Sequence, residues 1–176
     1  MQEEQPAGRK GHHGREDLTG EHALGDLGQI VLLVIFIPAW ALDSFVLHYS
    51  TFCARYISLY VRIPVALLIL FYGGYCTKKG HDIVFGEAGE VPHVFRTGVF
   101  GIVRHPLYLG TLLFYLSLIT LTLSLIAKTL WIVIIVFYYY IARYEETLLV
   151  HRFGSAYEDY LREVPMFIPR ITKRRG

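Results

Sequence analysis

The run from Leu107 to Ala127 holds about 21 residues without a charge, enough, at 1.5 Å of helical rise per residue, to cross a hydrocarbon core of roughly 30 Å. No other feature restricts the fold as much. Three further apolar stretches read as spans beside it: Leu27 to Leu47, which carries Asp43; Tyr56 to Cys76, which carries Arg62; and the clean but brief Thr129 to Ala142. With 53% hydrophobic and only 18% charged residues, the chain lies outside the soluble globular range. The expected fold is all-α, a polytopic integral membrane protein. About four transmembrane helices form two antiparallel hairpins, followed by a cytoplasmic C-terminal helical segment. Only a few residues after His48 to Ser50 separate the first two spans, so these should pack as a pair. The third and fourth are joined by little more than Lys128.

Basic residues orient this bundle. Of the 17 Lys and Arg residues, only Arg55, Arg62 and Lys128 fall toward one side, while the tail, the central loop and the C-terminal part carry the rest. Lys and Arg are retained on the cytoplasmic side during insertion, so both termini are expected there. The net charge of +2 is too small to suggest nucleic acid. Cys53 and Cys76 fall near opposite faces of the membrane and are expected as free thiols, beyond the reach of a disulfide. Residues 1–26 contain no apolar signal region and read as a disordered cytoplasmic tail.

Two charges lie inside spans. Counted from the cytoplasmic ends, Asp43 and Arg62 come to similar depth, roughly 24 and 21 Å, so they are expected to form an ion pair near the outer face. His81, His93, His105 and His151 share the cytoplasmic side without the close spacing of a metal site, and no metal is assigned. Trp40, Tyr49, Trp131 and Tyr138 to Tyr140 read as interfacial belts.

The hairpin of the third and fourth spans brings its two ends together. These are Arg104, His105 and Pro106 in "RHP", and Arg143 to Glu146 in "RYEE". Pro106 suits the first turn of a helix, where its missing N–H has no partner to lose. Glu145 and Glu146 oppose the macrodipole of a span that ends close to them, which calls for a compensating cation, either bound or supplied by Arg104. Beyond them, Leu149, Phe153, Tyr157, Leu161 and Val164 form an apolar stripe. It is interrupted at Gly154, where Ser155 and Glu158 read as a capping box opening a second short helix. The segment reads as an interfacial lid over the hairpin's end, or as a plain amphipathic tail.

In order and with fitting spacing, "TGVFGIVRHPLYLG", a membrane hairpin, "YEETLL" and "FGSAYEDYLREVPMFIP" resemble the isoprenylcysteine carboxyl methyltransferase and phospholipid methyltransferase superfamily of integral membrane enzymes. The resemblance covers Val91 to Pro169. It implies that residues 27–176 are a membrane methyltransferase domain with a cofactor-binding core over 91–169, and that S-adenosylmethionine is the methyl donor. It also implies that His93, Val94, Phe95, Phe100, His105, Pro106, Leu107 and Tyr108 line the cofactor, with Glu145 as its carboxylate and Glu146 as a second partner. A sulfonium and an ammonium match Glu145, and the donor's carboxylate matches Arg104 or His105. Arg104 and Arg143 are the candidate catalytic residues. Where carboxyl methyltransferases of the family have an arginine four residues before the cofactor glutamate, this chain has Ile141, and Arg143 lies about 200° away around the helix. The implied partners are the membrane and a lipid, lipid-linked or small hydrophobic acceptor: an isoprenylcysteine carboxylate, a phospholipid amine or a thiol. Two other functions suit such a bundle, an NADPH-dependent sterol-type membrane reductase and a partner protein that has lost turnover.

Overall fold

A computed structural model describes residues 23–86 and 94–169. Helix α1 (Ala23–Ala41) passes into a π-helical turn, Leu42–Leu47. After a short 3-10 turn, Phe52–Arg55, come α2 (Leu59–Gly86), a second 3-10 turn (Gly98–Gly101), α3 (Pro106–Thr122), α4 (Leu125–Phe153) and α5 (Ser155–Glu163). Among the described residues α1 with its π turn, α2 and α4 are each long and apolar enough to cross a membrane, and α3 is a shorter apolar helix. The protein is a multi-pass integral membrane protein, and its outer surface agrees. Leu68 and Phe71 on α2 are 70% and 71% exposed, beside the exposed Leu67 and Tyr72, a contiguous apolar patch of the kind that marks a membrane or partner surface.

The uncharged run does not form one span. Leu123 takes a left-handed conformation (φ 54°) and its N–H closes onto the carbonyl of Ile119. Ser124 then caps α4, its Oγ accepting from the N–H of Ala127 at 3.0 Å. Breaking there makes α3 17 residues long, about 25 Å, against 29 for α4. Because the two helices share a turn at one end, α4 overshoots α3 at the other. The residues level with Pro106 are those just after Ala142, so Arg143 to Glu146 stand at the start of α3. They lie inside a continuous helix and not at its end, as the brief fourth span had suggested.

The first two helices connect through a short turn, but they are not each other's main packing partners. The largest interface is α2 against α3, and α1 packs on α4. Small residues set the first contact. A Cβ on Gly110 would come within 2.0 Å of Thr77 Oγ1 and 2.8 Å of the Gly73 carbonyl, and one on Gly80 within 2.5 Å of Leu107 Cδ1. Such close approach lets dispersion and backbone contact hold helices together where lipid removes the hydrophobic drive. The core between α1, α3 and α4 contains Phe36, Tyr115, Ile134 and Tyr138, all nearly inaccessible. The tryptophans join this packing: Trp40 donates to the Leu118 carbonyl and Thr122 Oγ1, and Trp131 to the Leu112 carbonyl. Of the tyrosine run, Tyr139 and Tyr140 are exposed while Tyr138 is core.

Asp43 and Arg62 are not an ion pair. Asp43 is buried in the π turn, where it accepts from the Ser50 N–H at 2.9 Å and from the hydroxyls of Ser50 and Ser124, each at 2.5 Å. Arg62 donates to the Ile57 carbonyl at 2.9 Å and to the Leu121 carbonyl at 2.6 Å, the latter a last-turn carbonyl of α3 with no partner inside its helix. Equal depth did not bring them together because α1 and α2 turn toward different neighbours. Cys53 and Cys76 are both unbridged.

Candidate functional site

Helix α4 ends at Gly154, whose φ of 58° suits a residue without a Cβ and lets the chain reverse into α5. No side-chain hydrogen bond caps α5, so the capping box of Ser155 and Glu158 does not form. The Gly154 carbonyl accepts from the N–H groups of Tyr157 and Glu158 instead. One face of α5 packs Tyr157, Tyr160 and Val164 into a small core with Val94, Leu149 and Phe153. The segment after it returns across the start of α3. There the N–H groups of Arg104 and His105 donate to the carbonyls of Pro165 and Met166 at 2.9 and 3.3 Å. Strapping from the loop side comes from Tyr160, whose hydroxyl donates to the Phe100 carbonyl at 2.7 Å. Arg96 adds a bond to the Ala156 carbonyl and lies 3.5 Å from Glu163. Burial, and for Tyr157 also the nearby Glu146 carboxylate, push the Tyr157 and Tyr160 phenols far above their usual range, so both stay neutral.

Within this enclosure the two glutamates part company, since neighbours on a helix point about 100° apart. Glu146 is 2% exposed and fully engaged. Arg104 Nε donates to its Oε1 at 2.7 Å, His105 Nε2 lies 3.2 Å from the same oxygen, and Arg143 donates to Oε2 at 3.0 Å. Arg104 also donates to the carbonyls of Leu161 and Val164. It therefore ties α4, the loop and the C-terminal segment into one knot, bracing against Glu146 and not against Glu145. A buried carboxylate with three cationic or hydrogen-bonding partners from different segments fixes their mutual position, and removing one partner from such a set is costly.

Glu145 faces another way. Its Oε1 accepts from the Tyr108 hydroxyl, and His105 Nδ1 lies 3.6 Å from its Oε2. The imidazole thus stands between the two carboxylates, stacked on the Tyr108 ring at 5.5 Å with 5° between planes and flanked by Phe167 at 6.1 Å. Glu145 keeps a side-chain exposure of 15%. At the mouth of α3 this leaves a carboxylate edged by flat aromatic surface, with the half-exposed Arg143 two residues before it.

Of the residues singled out from the sequence, Arg104, His105, Tyr108, Arg143, Glu145 and Glu146 converge here. Pro106 is buried at the first position of α3, while Leu107 lies over Gly80 of α2. Val94 packs beside α5, and Phe95 and Phe100 pair at 5.9 Å beside the same helix. His93 lies outside the described residues. Sequence reasoning missed Phe167 and the carbonyls of residues 161, 164, 165 and 166, because a backbone acceptor leaves no mark on residue type. It placed Tyr157 only in a stripe, although "FGSAYEDY" puts two tyrosines three apart on one face.

The sequence model of the phospholipid methyltransferase family matches residues 57–156, an interval holding α2, α3, α4 and the Arg104–Tyr108 and Arg143–Glu146 parts of the site. Among curated proteins, methanethiol S-methyltransferase 2 of Bradyrhizobium diazoefficiens is 40% identical over 96 residues, covering 52% of this chain and 33% of that one. Methanethiol S-methyltransferase of Crocosphaera subtropica is 29% identical over 157 residues, covering 84% of this chain and 50% of that one. The chain thus spans half or less of the length of these relatives. No solved structure matches it.

Proposed function

The chain belongs to the phospholipid methyltransferase family, and on that premise we propose that it transfers a methyl group from S-adenosylmethionine to a membrane-borne or small hydrophobic acceptor, with residues 27–176 as the functional unit. The observation that carries this reading is the division of labour between the glutamates. Glu146 is consumed in holding the fold of the site, whereas Glu145 is presented at its mouth against aromatic rings, a donor set that fits a sulfonium or ammonium. Glu145, His105 and Tyr108 would hold the cofactor's cationic part, and Arg143 has guanidinium donors to spare for a carboxylate.

Bound there, S-adenosylmethionine would supply an electrophilic methyl group, with its sulfur leaving as a neutral thioether. The remaining demands fall on this chain's residues. Transfer in line needs alignment and exclusion of water more than acid–base chemistry. The Arg104–Glu146 brace and the returning segment 164–167 supply rigidity, and the Tyr157–Tyr160–Val164 core closes the side facing the loop. A thiol or amine acceptor reacts in its deprotonated form, its proton passing to solvent. With both termini on the cytoplasmic side, as the basic residues argue, a soluble charged cofactor reaches the site from the cytosol.

The test is equilibrium binding of S-adenosylhomocysteine to purified protein, comparing Glu145→Gln with wild type. Loss of one charge-assisted bond, about 1.5 to 3 kcal/mol, lowers affinity roughly tenfold to over a hundredfold. Unchanged affinity in a folded variant would remove Glu145 from the site. Binding of NADPH in place of S-adenosylhomocysteine would overturn the reading as a whole.

A further inference from the structure

His105 stands between the two glutamates with a ring nitrogen toward each. Nε2 lies 3.2 Å from Glu146 Oε1 and Nδ1 lies 3.6 Å from Glu145 Oε2. A neutral imidazole carries one N–H and one lone pair. Whichever nitrogen holds the proton, the other turns its lone pair toward a carboxylate oxygen, and around a buried ring little water intervenes to screen the repulsion. The imidazolium has a donor for each side. Packing holds the ring in this position: Tyr108 stacks on it, Phe167 flanks it, and the His105 N–H is tied to the Met166 carbonyl. The surrounding charges can be counted. Arg104 donates to Glu146 from the loop and Arg143 from α4. Tyr108 of α3 gives its hydroxyl to Glu145 Oε1, and burial keeps Tyr157 of α5 neutral. On α2, Gly80 lies against Pro106, with Lys78, Lys79, His81 and Asp82 around it in the chain. Within the knot the two arginines already balance the two carboxylates, so a charged His105 is one positive charge in excess. Glu146 has both guanidinium groups, and the carboxylate that gains most from that charge is Glu145.

We propose that His105 is a stand-in cation: in the empty site its imidazolium pairs with Glu145, and the cofactor's cation takes that place as His105 gives up a proton to solvent. This rests on the reading of Glu145 as the cofactor carboxylate. That reading gives His105 a share in holding the cation, which a neutral imidazole can do through its lone pair and an imidazolium cannot. The exchange balances. The N–H bond at Nδ1 breaks, the proton passes to water, and the electron pair stays on the nitrogen that faces the incoming cation. Glu145 keeps one positive partner before and after. The empty site is thereby spared a half-buried carboxylate without a counter-charge, a costly arrangement. Proton and cofactor oppose each other's binding by the same factor, as linkage requires, so occupancy of the site follows pH. A His105 that only braced Glu146 would need Nε2 alone, and its binding partner at Nδ1 would be a matter of indifference.

Calorimetry on the full chain in detergent, without any acceptor, tests the exchange. The probe is S-adenosylmethionine, which carries both cations, and the range is about pH 5.5 to 7, where exposed carboxylates stay ionised and an α-amine stays protonated. Each titration is run in two buffers of different ionisation enthalpy, which counts the protons released. Wild type should release about one proton per cofactor at the acid end, and its affinity should rise with pH there by up to about tenfold per unit, the slope of one linked proton. His105→Gln keeps a donor for Glu146 and does not titrate, so both the release and the slope should vanish. The variant then gains on wild type as pH falls, by up to about tenfold per unit, whatever its absolute affinity, whereas a structural role alone would leave the ratio constant. His105→Asn serves should the glutamine variant fail to fold, and the proton count on wild type needs no variant. Binding to wild type without proton release overturns the proposal. So does a release that persists in His105→Gln, which would assign the proton to another group. Glu145→Gln, run alongside at neutral pH, separates the two readings: wild-type affinity there sinks the cofactor reading and the exchange with it, while binding that depends on Glu145 but frees no proton sinks the exchange alone.

Discussion

Among the described residues each end of the bundle buries one carboxylate, with different partners. At the turn end Asp43 is surrounded by two serine hydroxyls and a backbone N–H, all neutral and drawn from the turns that join α1 to α2 and α3 to α4. At the opposite end Glu146 takes Arg104, His105 and Arg143, and a second carboxylate, Glu145, stands beside it at the mouth. Asp43 exhausts its surroundings: its donors are satisfied by it and no acid is left over. Glu146 also meets three donors, but these are cationic or titratable groups, and one of them, His105, faces Glu145 at 3.6 Å as well. Locking a turn takes one buried acid, and Glu145 is the second acid at the other end, the one that our proposal assigns to the cofactor.

The contrast can be broken first where the expected effect is largest. Glu146→Leu leaves the buried Arg104 and His105 without their shared acceptor, and removing one member of such a set typically costs about 3–5 kcal/mol. Thermal unfolding in detergent should show it, together with faster proteolysis after Gly154 as the C-terminal segment loses its anchor. A variant as stable as wild type would mean that the knot does not hold the segment. At the turn end, Asp43→Ala leaves Ser50 and Ser124 without their acceptor, and each buried group left unsatisfied costs about 1–3 kcal/mol. Cofactor affinity should not move, since this lock and the site lie at opposite ends of α3 and α4. A parallel loss of S-adenosylhomocysteine binding would show that the two ends are not independent.

Glu145→Gln sharpens the comparison from the other side, because its effect belongs to binding and its stability change should stay within the roughly 0.5 kcal/mol usual for a site away from core features. A stability loss rivalling that of Glu146→Leu would place both glutamates in the brace. The smallest expected effect is a coupling. Asp43 and Arg62 serve different partners, so Asp43→Ala and Arg62→Ala should add within about 0.3–0.5 kcal/mol in a double-mutant cycle. A larger coupling would restore the ion pair that their matched depth suggests.

Much of this was legible along the chain. Four apolar stretches, a short link at Lys128 and the two motifs "RHP" and "RYEE" were enough to bring Arg104, His105, Glu145 and Glu146 to one level, since a helical hairpin pairs residues by distance from its turn. The break at Leu123 was not legible, because no Gly or Pro marks it. A leucine takes the left-handed conformation there because Trp40 holds Thr122 before it and Asp43 holds Ser124 after it. Which of the glutamates is buried was likewise hidden. "EE" names two candidates, and only the rotation of α4 against the returning segment turns one of them inward.

By itself, then, the sequence determined a helical membrane protein and the pairing of two motifs at one end of a hairpin, because hydropathy and helical rise act along the chain and need no partner. Tertiary structure alone decided which carboxylate is buried, where Asp43 and Arg62 find their donors and acceptors, and that α1 packs on α4 and α2 on α3. The physical reason lies in the solvent. In water an apolar stripe tells a helix which face goes inward, but in lipid both faces are apolar. Orientation passes to small residues such as Gly73 and Gly110 and to a few buried polar groups, whose partners come from elsewhere in the fold.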